Sequence, residues 1–227
     1  MNPPEEKTTI IVATSNPNKA REFATLLPGI EVLPMPEGIE LPEETGATFE
    51  VNARLKAFAV RDQLLGRPGG PLAAAEKFSP ESDRAPENMP PGLRGRVWVM
   101  ADDSGLEVDA LGGAPGICSA RYAGEDATDT GNVDKLLAEL KGRRDRGVRF
   151  VCVLVCVSAT GDELVAHGYF EGAIAEAPRG RSGFGYDPVF IPADSSLTVS
   201  EISADEKNRI SHRARAAYSL LAKLRGG

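Results

Sequence analysis

The chain has 227 residues, with 26 Lys and Arg against 33 Asp and Glu, a formal net charge of −7. Its length suits one large domain or two small ones, and 41% apolar with 26% charged residues is a soluble globular composition that excludes global disorder. A pI near 5.1 excludes a general nucleic-acid-coating protein, which needs a clustered positive excess, but leaves room for a small anion gripped by a few placed Lys and Arg.

The opening MNPPEEKTT lacks a basic segment followed by an apolar run, so no signal peptide is expected. No apolar stretch approaches the ~18 residues of a membrane span, and the expected location is cytoplasmic. Thr9–Thr14 is β-branched and apolar on both faces, the pattern of a strand covered on both sides. Asn16-Pro17 reads as a helix start, with Asn at the cap and Pro at the first helical position. Ala20, Phe23, Ala24, Leu26 and Leu27 give that helix an apolar stripe, and Pro28-Gly29 ends it. Ile30–Leu33 is a candidate second strand. Ala47–Leu65 is a long helix with Ala47, Val51, Leu55, Phe58 and Ala59 at helical spacing. Residues 66–95 differ in character: six prolines and five glycines without periodicity read as a surface insertion. Val97–Ala101 returns to a buried strand, and Leu106–Leu111 continues in extended form. Asn132–Lys141 is an amphipathic helix. Val148–Ala159 and Glu163–Ala175 are long strands around a Thr160-Gly161-Asp162 turn. Pro188–Pro192 is a short strand, and the C-terminus is helical to about Leu224. Cys118, Cys152 and Cys156 lack C-x-x-C spacing and read as buried reduced thiols. The order of elements, a βα pair first and a hairpin later, implies an α/β or α+β fold with a mixed sheet.

Four stretches carry chemistry. Thr14-Ser-Asn-Pro-Asn-Lys19 joins a buried strand to a helix start, where free N–H groups and the helix dipole favour an anion. Lys19 opposes that dipole, which makes sense if an anion sits between them. The segment is also an ordinary capped helix with a solvated lysine, and no P-loop motif is present. Asp102-Asp103-Ser104-Gly105 follows a strand at its carboxyl end, and adjacent carboxylates there need a cation, a basic partner or water. Glu43-Glu44-Thr45-Gly46 is a second acidic turn, which by itself suits a helix N-terminus. Together with the aspartates it offers Mg²⁺ its oxygen ligands. Ser182-Gly-Phe-Gly-Tyr-Asp187 sets two aromatics among glycines, and Phe184 or Tyr186 offers a flat face to a purine or packs in the core. Ser203-Ala-Asp-Glu206 fits a capping box for a turn carrying Lys207. Lys207 and His212 face one ligand only if the helix breaks and restarts at Ser211, placing His212 and Arg213 at a new N-terminus. His167 reads as structural.

With those residues in view, the chain resembles the inosine/xanthosine triphosphate pyrophosphatase family, the Ham1-like enzymes of noncanonical purine nucleotides. The matching stretches, in the family's order, are ATSNPNKAREF, EETGATF with NARLKA, ADDSGLEVDALGGAPG, SARYAGEDAT, GFGYDPVF and EKNRISHRARA. They cover nearly all of the chain outside residues 1–8 and 66–95. The resemblance implies one α/β domain over residues 9–225, an elongated mixed sheet flanked by helices, with two lobes and an active-site cleft between them. It implies hydrolysis of ITP, dITP or XTP to the monophosphate and pyrophosphate, with Mg²⁺, in a homodimer. Carried over by position, Thr14, Ser15, Asn16, Pro17, Asn18 and Lys19 contact the triphosphate, and Glu43 with Asp103 holds the metal. Asp103 also accepts the proton of the attacking water. Ser104, Phe184, Gly185, Tyr186, Asp187, Lys207, His212 and Arg213 complete the nucleotide site.

The chemistry agrees with that assignment. Cleaving an α–β phosphoanhydride needs charge neutralisation and a positioned water more than covalent catalysis. A donor from Arg213 or Lys207 aimed at the 6-keto oxygen leaves adenine, with its amino group there, facing an unmatched donor. Three departures stand out: Val51 where the family often has Glu, Cys118 in place of a common Tyr, and the long insertion. Two competing readings are a Maf-like pyrophosphatase for modified pyrimidine nucleotides and a nucleotide-binding regulator without turnover. The S-H-R segment and the F-G-Y-D loop favour purines, and costly clustered carboxylates have no use in a regulator.

Overall fold

The computed structural model describes residues 8–66 and 97–226. The expected insertion lies, apart from Gly66, outside the described residues, as does the segment before Thr8. The elements in chain order are β1 (Thr9–Val12), α1 (Pro17–Leu26), β2 (Glu31–Pro34), α2 (Phe49–Leu64), β3 (Val97–Val108), β4 (Pro115–Gly116) and α3 (Asp129–Glu139). They continue with β5 (Gly147–Ser158), β6 (Glu163–Ile174), β7 (Phe190–Pro192), α4 (Ala204–Ile210) and α5 (His212–Gly226). The seven strands found among the described residues form one mixed sheet in the order β2-β1-β3-β5-β6-β7, with β4 attached to β3. β1 pairs in parallel with both β2 and β3, while β3–β4 and β6–β7 are antiparallel. No helix among the described residues is long and apolar enough to cross a membrane.

Local chemistry fixes the helix starts. The Asn16 carboxamide accepts from the Asn18 N–H at 2.9 Å, with Pro17 at the first helical position, as the sequence implied. Thr48 caps α2 by accepting from the Val51 N–H, and Ser203 caps α4 by accepting from the Glu206 N–H. The break at Ser211 is real: it closes α4, and its hydroxyl accepts from the Ala214 N–H at 3.2 Å to start α5.

β3 departs from expectation. The sequence placed a strand end at Ala101, but β3 runs unbroken through Asp102-Asp103-Ser104-Gly105. What ends there is the pairing: the parallel register with β1 stops at Val12↔Met100, and antiparallel pairing with β4 takes up at Leu106. The aspartates therefore sit beyond the carboxyl end of β1 rather than of their own strand.

The described residues fall into two compact units, those within Met1–Asp103, Val153–Ala166 and Ala217–Gly227, and those within Ser104–Cys152 and His167–Ala216. The chain passes from one to the other within β3, β5, β6 and α5. One core cluster of the first unit, where α2 packs, is made largely of small side chains, Ala13, Ala53, Ala57 and Ala101 with Val60, Val99, Val155 and Val157. The second unit's core cluster has bulkier side chains: Phe150 and Phe170 pack on Phe190 with ring centroids 4.6 and 5.0 Å away, among Leu106, Leu136, Leu140 and Val189. Cys152 and Cys156 are buried as expected, whereas Cys118 is exposed; all three are free thiols.

Candidate active site

Consecutive residues of a strand point to opposite faces, so Asp102 and Asp103 meet different helices. Asp102, 1% exposed, accepts from the Lys19 ammonium at 2.8 Å. The lysine in the first turn of α1 thus already faces one carboxylate of this chain, with its side chain 22% exposed. Around it, Thr14 Oγ1 accepts from the Asn16 N–H at 3.1 Å, and the Asn18 side chain accepts from Arg21. Ser15, Pro17 and Asn18 are exposed, with Thr14, Asn16 and Lys19 half-buried.

Asp103 faces α2. Asn52 and Lys56, one turn apart on that helix, both reach it: Asn52 Nδ2 donates to Oδ2 at 3.1 Å, and Lys56 Nζ lies 4.0 Å from Oδ1. The other end of the Asn52 carboxamide accepts from the Gly46 N–H at 2.7 Å, which fixes its orientation and ties the acidic turn to the aspartate. Only glycine serves at position 46, because a Cβ there would stand 2.6 Å from Asn52 Oδ1. Lys56 also pairs with Glu44. Glu44, not Glu43, therefore belongs to this cluster, and Glu43 is solvent-exposed. The structure thus places Glu44 beside Lys56 and Glu43 at the surface of the same turn.

Burial pushes the Asp103 carboxyl up to about 6; the Lys56 ammonium and the Asn52 donor oppose the rise, while Glu44 and Asp102 add to it. Burial also disfavours the Lys56 ammonium, but Asp102, Asp103 and Glu44 outweigh it and leave Lys56 above the ordinary lysine value. A carboxylate that titrates just below neutrality is suited to accept a proton from water.

The second unit gathers the remaining candidates. Phe184 is 41% exposed, and two cations approach its ring: Lys207 Nζ at 4.5 Å and Arg213 Cζ at 5.3 Å from the centroid. Asp187, buried, accepts from Lys207 at 2.6 Å and from the Phe184 N–H at 3.0 Å. Gly183 has a φ of +84°, and a Cβ on it would come within 2.2 Å of the Asp187 carboxylate, so position 183 must be glycine on both counts. Tyr186 is buried, and its hydroxyl donates to the Ser119 carbonyl at 2.8 Å. Of the two aromatics, Phe184 is therefore the open face and Tyr186 the anchor. Gly185 is half-buried, donating its N–H to Asp129 at 2.7 Å, and Ser104 is half-buried on β3. His212, 4% exposed, stacks on Phe150 at 4.7 Å, while its neighbour Arg213 reaches Phe184.

The Ham1 family model matches residues 10–223. The chain belongs to the Ham1 family. The dITP/XTP pyrophosphatase of Bacillus subtilis (strain 168) is 44% identical over 217 residues, 92% of this chain and 93% of that protein. That of Clostridium perfringens (strain 13 / Type A) is 43% identical over 222 residues, 95% and 97% of the two chains. Among solved structures, the Staphylococcus aureus Ham1 protein superposes with a TM-score of 0.77 at 37% identity, covering 96% of this chain and 98% of its own. A Mycobacterium abscessus structure titled nucleoside-triphosphatase / dITP/XTP pyrophosphatase gives 0.63 at 36% identity, with 94% and 98% covered.

In this Ham1 family chain the sequence candidates fall into two sets, Thr14–Lys19 with Asp103 in one unit and Phe184–Asp187 with Lys207, His212 and Arg213 in the other. Glu44, Asn52, Lys56 and Asp102 join the first set although not singled out as ligands. The available signal was the i, i+4 spacing of Asn52 and Lys56 on one face of a helix, beside the small buried residues Ala53 and Ala57.

Proposed function

We propose that this chain hydrolyses noncanonical purine nucleoside triphosphates, dITP, ITP and XTP, to the nucleoside monophosphate and pyrophosphate, clearing them from the nucleotide pool. The observation that carries the reading is Asp103, a buried carboxylate held at about 6 between Asn52, Lys56 and Glu44, in a chain 44% identical to a dITP/XTP pyrophosphatase. In this reading Asp103 removes a proton from the water that attacks the α-phosphorus, and pyrophosphate departs. Asn52 keeps Asp103 aimed, and Lys56 compensates the charge that gathers as the water ionises. Lys19, with the Thr14–Asn18 turn, grips the polyphosphate. Phe184 takes the face of the purine, and Lys207 or Arg213 supplies a donor to the 6-keto oxygen, with Ser104, Gly185, Tyr186, Asp187 and His212 completing the site around it.

No group of three or more His, Cys, Asp or Glu among the described residues forms a ready-made metal cage. Mg²⁺ needs only one or two carboxylates when waters and substrate phosphates fill its other positions, and Asp103 with Glu44, both drawn to the Lys56 ammonium, fits that need. Bound there, the cation would neutralise polyphosphate charge and acidify water.

The test is a turnover panel of dITP, ITP, XTP, the standard nucleotides and a methylated pyrimidine triphosphate, with and without Mg²⁺. Pyrophosphate from the first three only is expected; orthophosphate alone, or a preference for the pyrimidine, rejects the reading. Glu44→Gln should raise the Mg²⁺ requirement at least tenfold while Glu43→Gln leaves it near wild type. The reading also carries a cytoplasmic homodimer, for which light scattering should give twice the 24.1 kDa chain mass.

A further inference from the structure

The loop that presents Phe184 is held by hydrogen bonds to two successive backbone N–H groups. Asp187 accepts from Phe184 within the loop. Asp129 accepts from Gly185 at 2.7 Å and comes from outside it, 56 residues earlier in the chain, at the start of α3. The N–H···O⁻ contact is short, as charge-assisted bonds are. Asp129 is itself fixed: Thr128 caps α3 by accepting from the Gly131 N–H at 3.1 Å, and Asn132 ties the same turn to the Ala123 N–H and the Ala120 carbonyl. At Gly185 the backbone adopts φ +62°, so the peptide that orients the Phe184 ring is in a conformation that a free glycine leaves readily.

We infer that Asp129 is a positioning residue for purine recognition: by holding the Gly185 N–H it fixes the Phe184 ring where Lys207 and Arg213 flank it. The inference rests on the proposed purine site, but the tether itself does not. Without Asp129 the loop would still have the Asp187 bond and the Tyr186 anchor, so the fold should survive while the ring samples other orientations. The cost then falls on binding of the base and on its discrimination, not on the proton transfer at Asp103.

The experiment compares wild type, Asp129→Ala and Asp129→Asn. Asn keeps a side-chain oxygen acceptor for the Gly185 N–H; Ala does not. Amide hydrogen exchange across residues 182–187, measured without nucleotide, should speed at least tenfold in Asp129→Ala, with the thermal midpoint unchanged, and return towards wild type in Asp129→Asn. With dITP and Mg²⁺, KM should rise about five- to tenfold in Asp129→Ala with kcat within twofold, and the dITP-to-dGTP ratio of kcat/KM should fall. Asp129→Asn should recover most of both. Unchanged exchange in Asp129→Ala, a loss confined to kcat, or an equal defect in Asp129→Asn overturns the inference. If wild type releases no pyrophosphate from dITP, the proposed function fails, and the exchange measurement still judges the tether.

Discussion

Replacing Asn52 by Asp tests the Asp103 site with almost no change of shape. Asn52 is fully buried and makes two bonds of opposite polarity, accepting from Gly46 and donating to Asp103 Oδ2 at 3.1 Å. Aspartate keeps the first and inverts the second, setting two carboxylates in contact inside the protein. Like charges so close force one of them to hold a proton, raising a carboxyl pKa by about 3 units. An acid shifted from ~3.9 to ~7 destabilises the fold by about 4 kcal/mol at pH 8 but only about 1.5 kcal/mol at pH 5, since each unit is ~1.4 kcal/mol. The sign follows from the folded state binding the extra proton, so the penalty grows as pH rises through that interval. Urea unfolding in EDTA at the two pH values measures it. The double variant Asn52→Asp with Asp103→Asn restores a carboxylate–amide pair with the roles exchanged; it should regain most of the stability at pH 8 and none of the activity. A penalty equal at both pH values, or a double variant no better than the single, refutes the placement of Asn52 against Asp103.

With Asp103 held at about 6, kcat/KM at low Mg²⁺ should fall below that pH with a slope of one, because the protonated acid accepts nothing; saturating Mg²⁺ should move the limb to lower pH by favouring the anion. Lys19→Met should lower stability by about 2 kcal/mol, leaving the Asp102 carboxylate buried without its ammonium, and should raise KM for dITP at least tenfold. Phe184→Ala should leave the melting temperature unchanged, since the ring is 41% exposed, while KM for dITP rises about tenfold, the worth of stacking one base on an aromatic face.

Much of the fold is legible because it rests on local chemistry. The Asn16-Pro17 start, the Ser203 and Ser211 caps and the Thr160–Asp162 turn each follow from a side chain bonding its own neighbourhood. The continuous β3 is not legible, because two aspartates look like a strand end when their partners, Lys19 on α1 and Asn52 on α2, lie 83 and 51 residues away. That Glu44 rather than Glu43 pairs with Lys56 is hidden for the same reason. A turn has no periodicity, so nothing local says which of two adjacent acids the helix-borne Lys56 will meet. At the Phe184 loop both aromatics were candidates, and what separates them is the Ser119 carbonyl, which draws the Tyr186 hydroxyl into the core. Residues of the right type are visible along the chain; which of them share a partner is decided by tertiary packing.

The path of the chain between its two units has a consequence for synthesis on the ribosome. Domains usually fold in the order in which they emerge, but the half begun by β1 also requires Val153–Ala166 and Ala217–Gly227. The half that starts first is completed last, so neither can be cloned as one uninterrupted fragment. A stop codon before the final helical turns would deprive the older half, not the younger, of its closing segment.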